Sequence, residues 1–325
     1  MLTTSEVGRG SVLGALIGDA AGATLEFLGR RPTADEVEQA LCLPGGGVWR
    51  VAPGQITDDG EMTLALYRAL VGHDKFPLDA VGSNYVEWFR SRPFDFGGTT
   101  HRALEGLDPK TESLGLLMLE RTGSRNPESK ANGSLMRASA LGVWSAGVGI
   151  EHAVEAARLD ARLTHPNPTC QWAEAAYVVA IRHLMLNPGQ SDLAFQASKE
   201  VVSVQSDEGA QEVLAWLSDA KDGKLPDCHP LAGFVRIAFT RAFAHLLEQT
   251  EFTEAIRATL VGGGDTDTNA CIVGGLLGAL HGRKGLPSEM IESILNCDTS
   301  QGRERPEWLR PAFVLNRQVP LVSSK

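Results

Sequence analysis

Cysteine is sparse in this chain: five among 325 residues, an odd number at wide spacing with no Cys-x-x-Cys pair. That pattern argues against a disulfide framework and against a zinc site, and points to a reducing, cytoplasmic setting. Each thiol is expected to act as a small buried hydrophobe. Tyrosine is rarer still at 3 residues and phenylalanine is modest at 11. An aromatic-rich β-sandwich is therefore disfavoured. No apolar run reaches the roughly 18 residues of a membrane helix. Positive charge is also short: 30 Lys and Arg stand against 40 Asp and Glu, a net of −10. Such a chain repels phosphate backbones, so no nucleic-acid partner is expected.

Strand-like alternation is nearly missing. Val201–Val204 is the best short candidate and fits a helix equally well. No low-complexity tract or long linker divides the chain, and the strand–helix alternation of a doubly wound fold is not seen. Helical periodicity is what remains, over Glu61–Val71, Gln171–Leu186, Gln211–Leu217 and Phe234–Leu247. With 43 % hydrophobic and 22 % charged residues, the chain can bury a core. The prediction is an all-α protein, one compact multi-helix domain over residues 1–325 with functional loops between helices. Ser11–Ala23 ends in an Ala-x-Ala pattern like a secretory leader. Asp19 interrupts its apolar centre and Glu6 precedes it with a single Arg, so it is read as part of the fold.

Glycine, by contrast, is abundant at 35 residues and is ordered in two places. Gly10, Gly14, Gly18 and Gly22 recur every four residues, as do Gly274, Gly278 and Gly282. Four-residue spacing lines each set along one ridge of a helix. Each glycine inside a helix costs about 1 kcal/mol against alanine. A bare ridge offsets that cost by letting a second helix approach closely, so tight core packing accounts for the glycines themselves.

Acidic residues cluster beside apolar-periodic segments. Thr57-Asp58-Asp59 precedes one, and Asp265-Thr266-Asp267-Thr268 precedes another about 200 residues later. Helix capping explains either cluster alone as well as function does: Asp58 and Glu61 make a capping box, and Asp267 fits a cap of the last helix. Together they offer more than caps require. A cap needs one oxygen, whereas each cluster supplies two carboxylates and a hydroxyl. Hard cations such as Mg²⁺ select all-oxygen sites of this kind, and there is no nearby His or Cys of the kind zinc would want. Four carboxylates brought together without cations would repel, and some would protonate. Two divalent ions would neutralise them and hold ribose or phosphate oxygens. Glu26 is a fifth candidate carboxylate, although spacing alone describes it equally as an exposed charge at a helix end.

Three loops add candidates. Asp95-Phe96-Gly97-Gly98-Thr99-Thr100 joins an acid to a hydroxyl-rich turn. Asn132-Gly133-Ser134 precedes a predicted helix whose first N–H groups could take a diphosphate. Leu163-Thr164-His165-Pro166 sets a lone histidine before a proline. On composition alone an ordinary turn, an N-cap and a structural histidine account for them.

Taken in chain order, these segments resemble the ADP-ribosylglycohydrolase family. The matching stretches are GALIGDAAGATLEF (14–27), ITDDGEMTLAL (56–66), EWFRSRPFDFGGTTHRAL (87–104), ANGSLMRASALG (131–142), LTHPNP (163–168) and GGGDTDTNACIVGGLLGALHG (262–282). They look most like the bacterial, arginine-directed branch typified by the dinitrogenase-reductase-activating glycohydrolase. The motifs span residues 10–282, leaving 283–325 as a C-terminal extension expected to pack on the same domain.

The resemblance implies an all-α fold around two Mg²⁺ or Mn²⁺ ions. By motif, Thr57, Asp58, Asp59, Asp265, Asp267 and Thr268 would ligate them, with Asp59 also serving the chemistry. Glu26 would stand beside the metals and gate the site or touch one. Asp95 would sit near the scissile bond. Gly97, Gly98 and Thr99 would line the ribose and phosphate path. Asn132, Gly133, Ser134 and Met136 would hold the diphosphate and ribose, with His165 in the same cleft. The implied partner is an ADP-ribosylated protein and the product ADP-ribose.

Two positions depart from the family pattern. Gly60 stands where relatives usually carry Thr or Ser. Lys130 stands where some carry a nucleotide-contacting aromatic residue, leaving Trp144, Trp172, Tyr177 and Trp216 as candidates to stack on adenine. A haloacid-dehalogenase phosphohydrolase is the competing chemistry. Its Asp-x-Asp-x-Thr pattern fails at Asn269, and three glycines rather than an apolar strand precede Asp265. A hydrolase of O-linked ADP-ribose and a silent ADP-ribose-binding member are the alternatives within the family. The silent form should have lost ligand carboxylates, and all are present.

Overall fold

Helix α1 (Thr4–Gly22) begins where Thr3 and Glu6 form a reciprocal capping box, with Thr3 Oγ1 accepting from Glu6 N at 3.2 Å and Glu6 Oε2 accepting from Thr3 N at 3.0 Å. The computed structural model describes residues 2–317. After α1 come α2 (Ala34–Ala40), α3 (Asp58–Leu70), α4 (Leu78–Arg90), α5 (Gly98–Leu104), α6 (Leu114–Arg125), α7 (Ser139–Ser145) and α8 (Ile150–Arg162). The second half holds α9 (Pro168–Leu186), α10 (Ser191–Ser203), α11 (Glu208–Lys221), α12 (Val235–Glu248), α13 (Phe252–Val261), α14 (Thr266–His281), α15 (Ser288–Leu295) and α16 (Pro311–Arg317). Short 3₁₀ turns fill several connections, and no strand occurs among the described residues. The fold is thus all-α in one compact body. Val201–Ser203 closes α10 and Val204 is its C-cap, so this short apolar run is no strand.

The glycine ridges decide the centre. A Cβ on Gly14 would run into the Gly274 carbonyl, one on Gly18 into Ala270, and one on Gly22 into the backbone of Asp267. Facing positions rise along α1 as they fall along α14, so the two helices run antiparallel with their backbones in contact. This closeness compensates for the low helix propensity of glycine through dispersion contacts between main chains. It also sets the end of α1 beside the start of α14. Thr266 Oγ1 donates to Gly22 O at 2.8 Å and locks that junction.

Around this pair, α9 is buried along almost its whole length, starting with Asn167 as N-cap and Pro168 as first residue. The segment after α14 returns to α3. Arg305 makes a two-pronged ion pair with Glu61, at 2.7 and 2.8 Å, and also donates to the Ser91 and Arg92 carbonyls. Trp88 Nε1 donates to Glu61 Oε2 at 2.8 Å. Glu61 therefore looks inward to Arg305 and does not close a capping box with Asp58. Residues 318–325, the end of the C-terminal extension, lie outside the described residues. No helix among the described residues is long and apolar enough to cross a membrane.

Candidate metal centre and active site

Both acidic clusters sit at helix starts, and the α1–α14 contact brings those starts together. Thr57 is the N-cap residue of α3 but makes no cap of its own. Asp19, in the last turn of α1, supplies one instead. Its carboxylate accepts from Thr57 N at 2.9 Å, Thr57 Oγ1 at 2.8 Å and Gly60 N at 2.8 Å. A cap delivered from another helix leaves Asp58 and Asp59 free of that duty. At α14, Asp265 is the N-cap residue without a side-chain cap, and Asp267 bonds the N–H of Thr268 at 2.9 Å. Asp267 therefore does not cap its helix as the spacing suggested. The two helix N-termini point their partial positive charge at the carboxylates.

Gly60 has a structural reason here. A Cβ at this position would lie 2.6 Å from Asp19 Oδ2 and 2.9 Å from Ile56 Cβ.

The charges press on one another. Burial first, then Asp59 and Asp95, push Asp58 well above the usual carboxylate range. Asp59 is raised by burial, Asp19 and Asp265, and Asp267 by burial, Glu26 and Asp59. Asp19 rises to about 7, mainly by burial, against the pull of its Thr57 hydrogen bonds. Glu26 is pushed up to about 8 by burial and the Asp95 charge, and Asp95 to about 6 by burial and Asp265. One carboxylate oxygen from each of Glu26, Asp95 and Asp267 lies within 4.8 Å of the others. Asp59 Oδ1 is buried without any hydrogen-bond partner. A buried carboxylate oxygen with no donor, in an all-oxygen acidic set, fits a hard divalent cation.

The substrate-side candidates divide. Asn132 reaches the centre, its Nδ2 donating to Asp265 Oδ2 at 2.8 Å. Gly97 opens on free space: a Cβ there would meet nothing within 4 Å, so room is left beside Asp95. Gly98 is nearly as open, with Arg102 at 3.5 Å. The Thr99 hydroxyl is instead engaged with Ser129 Oγ at 2.8 Å. His165 lies beneath the loop, its Cε1 2.9 Å from where a Gly133 Cβ would be. Burial, Arg137 and Arg102 hold its imidazole down to about 3, so it is neutral at physiological pH. Ser134 is buried with its hydroxyl unpartnered, and Met136 is a core side chain whose carbonyl accepts from Cys271 Sγ at 3.3 Å.

Fully buried Arg137 supports this loop. It donates to Asp160 Oδ2 at 2.9 Å and to Asp160 O at 2.8 Å, and stacks on Tyr85 at 4.3 Å. Instead of one long helix after Ser134, the chain makes a 3₁₀ turn at Leu135–Arg137 and then α7.

Two residues that shape the centre are not among the site candidates read from the sequence. Asp19 is the lone charged residue between Arg9 and Glu26, in an otherwise apolar stretch. A carboxylate so placed needs partners, and that was the available signal. Trp49, whose Nε1 donates to Glu26 Oε2 at 2.9 Å, has no comparable signal. The four aromatic residues considered for adenine are all core. Trp144 donates to His73 O, Trp172 to Asp207, Tyr177 to Ile272 O, and Trp216 packs on Phe234 and Phe239. Trp49, bonded to Glu26, packs against Phe94 and the well-exposed Phe27, whereas the Phe96 ring packs on Phe89 and His101. A cavity of about 380 Å³ opens between the Glu26–Arg30 loop and His229, Ala232 and Gly233, with Asp265 in its wall.

A model of the ADP-ribosylglycohydrolase family matches residues 3–318. The chain belongs to that family. It is 29 % identical over 297 residues to an ADP-ribosylarginine hydrolase Tri1 of Pseudomonas putida (strain GB-1), covering 88 % of this chain and 73 % of that one. It is 26 % identical over 288 residues to the ADP-ribosyl-[dinitrogen reductase] glycohydrolase of Rhodospirillum rubrum, covering 88 % and 89 %. A solved structure titled as an ADP-ribosylglycohydrolase-related protein complex superposes with a TM-score of 0.69 at 24 % identity, covering 97 % of this chain and 98 % of that one. That likeness establishes the shared fold.

Proposed function

We propose that this family member hydrolyses the N-glycosidic bond of ADP-ribosyl-arginine on a modified protein, releasing ADP-ribose and the free arginine side chain. The supporting observation is the convergence of Glu26, Asp95 and Asp267, with carboxylate oxygens within 4.8 Å of one another, beside a buried Asp59 that has an unpartnered oxygen and feels the Asp19, Asp265 and Asp95 charges. Thr57, Asp58, Asp59, Asp265, Asp267 and Thr268 would hold two Mg²⁺ or Mn²⁺ ions. When bound, such ions clamp a ribose diol and acidify a water.

The chain's own residues have separate tasks. Overall, the ribose C1–N bond breaks and the water oxygen bonds to C1. The proton that water releases ends on the guanidine, which departs as a guanidinium. Asp95 faces the positive charge shared by C1 and the guanidine, in a partly desolvated site where a carboxylate acts strongly. Asp95 or Glu26 would manage proton transfer at the glycosidic bond. Asn132, Gly133 and Ser134 would receive the diphosphate, and Gly97, Gly98 and Thr99 the ribose path. Met136 and His165 would act from beneath as supports. A serine link expels a neutral hydroxyl and gains less from Asp95.

The test is release of free ADP-ribose from arginine-linked and serine-linked peptides of matched sequence. Release from the arginine peptide with Mg²⁺ or Mn²⁺, abolished by EDTA, is expected. Release from serine alone would overturn the arginine assignment. Binding of ADP-ribose without release from either peptide would overturn the hydrolase.

A further inference from the structure

Glu26 lies three residues beyond the C-cap of α1, on a loop with no helical ladder to fix its side chain. It is nevertheless held against the acidic centre, with Asp95 and Asp267. The residue that meets it comes from a different loop. Trp49 donates its indole N–H to Glu26 Oε2 at 2.9 Å, engaging one of the two carboxylate oxygens, and it also reaches the Asp95 carboxylate, which it helps to keep ionised. Trp49 is fixed in turn by aromatic contacts, edge-on to Phe27 with centroids 5.9 Å apart and tilted against Phe94 at 6.1 Å. The backbone on both sides of this bond is strained. Phe27, next to Glu26, has φ 58°, and Arg50, next to Trp49, has φ 56°. L side chains resist the left-handed region and stay there only where the surroundings over-determine the conformation.

We infer that Trp49 is a positioning residue for Glu26: its indole N–H sets where the Glu26 carboxylate stands over the acidic centre, and so how tightly that centre takes a divalent cation. The inference rests on the metal-centre reading above. Packing alone predicts something different, because a phenylalanine at position 49 would keep an aromatic ring beside Phe27 and Phe94, and the packing lost with part of the indole would weigh equally whether or not Glu26 is present.

The experiment is a double-mutant cycle on the full-length chain, with Trp49→Phe, Glu26→Gln and the pair together. Mn²⁺ affinity is read by isothermal titration calorimetry, and kcat and KM on an arginine-linked ADP-ribosyl peptide, with circular dichroism as a check on folding. Losing a partner that orients a ligand commonly weakens metal affinity or activity by about 10–100-fold. Trp49→Phe should weaken Mn²⁺ binding and lower kcat by about tenfold in the native background, with KM nearly unchanged. In the Glu26→Gln background the same change should weaken Mn²⁺ binding by less than about twofold, because the residue it acts through is already altered, while kcat keeps the part of the loss that runs through Asp95. Equal losses of Mn²⁺ affinity in both backgrounds, or no such loss in the native one, would overturn the inference. A native chain that binds Mn²⁺ but releases no ADP-ribose would sink the hydrolase reading alone. The Mn²⁺ cycle would then still decide the role of Trp49.

Discussion

Asp95 and Asp19 are both carboxylates at the centre, yet they should fail in different ways. Asp95 comes from the loop before α5 and serves neither a cap nor a helix contact. Asp95→Asn should lower turnover by about 10²–10⁴, the usual range for an acid or base, and leave ADP-ribose affinity nearly intact. Normal turnover in this variant would show that Asp95 has another role. Asp19 instead satisfies two backbone N–H groups and the Thr57 hydroxyl. Asp19→Ala would leave these buried donors unpaired, at about 1–3 kcal/mol for each group. We expect a total loss of about 2–4 kcal/mol in urea unfolding, allowing for local relaxation. Divalent-metal affinity should fall with it, since Thr57 would lose its anchor. Unchanged stability would mean that α3 starts equally well without this cap.

At the scale of elements, the α1–α14 pair explains why glycine is tolerated inside helices. Gly18→Ala would drive a methyl group into the Ala270 carbonyl, and both partners there are backbone. Overpacking of this kind typically costs about 1–3 kcal/mol. It should also loosen metal binding, because the same contact holds the start of α14 beside Asp19. Gly123, on the exposed side of α6, is the control, since a Cβ there would meet nothing within 4 Å. Gly123→Ala should be neutral or stabilising by about 0.5–1 kcal/mol, from helix propensity alone. Thermal or urea unfolding of the two variants tests the contrast. Similar behaviour would mean that the glycine ridge is not what sets the helix separation.

For the whole molecule, the carboxylate cluster makes metal-free stability depend on pH with an unusual sign. Asp19, Glu26 and Asp95 are raised to about 7, 8 and 6 in the fold. Between the ordinary carboxylate range and these values, the folded chain binds more protons than the unfolded chain. Stability therefore falls as pH rises, by about 1.4 kcal/mol per pH unit for each excess proton. In EDTA, the melting temperature should drop from pH 5 to pH 8. With Mg²⁺ or Mn²⁺ present the cations replace the protons, so the drop should shrink or reverse. A metal-free melting temperature that rises over this interval would contradict the burial of the cluster. The net charge of −10 adds a weaker effect of the same sign through self-repulsion.

Much of the centre was legible in the sequence because its signals are local. The two acidic clusters, the glycine ridges and the helical periodicity all repeat or group within a few positions of the chain, so spacing alone reveals them. Composition does not tell the five cysteines apart: Cys42 is exposed and Cys297 half-buried, against the expectation of burial, while Cys170, Cys228 and Cys271 are buried. Tertiary structure alone decided what each polar side chain serves. Asp19 caps a helix 38 residues away, Trp49 holds a carboxylate 23 residues away, and Glu61 answers an arginine 244 residues away. Trp144, Trp172, Tyr177 and Trp216 went to the core for the same reason. Hydrogen-bond partners and burial depend on which helices pack together. That packing follows from shape along whole ridges, and only the folded chain brings those ridges into contact.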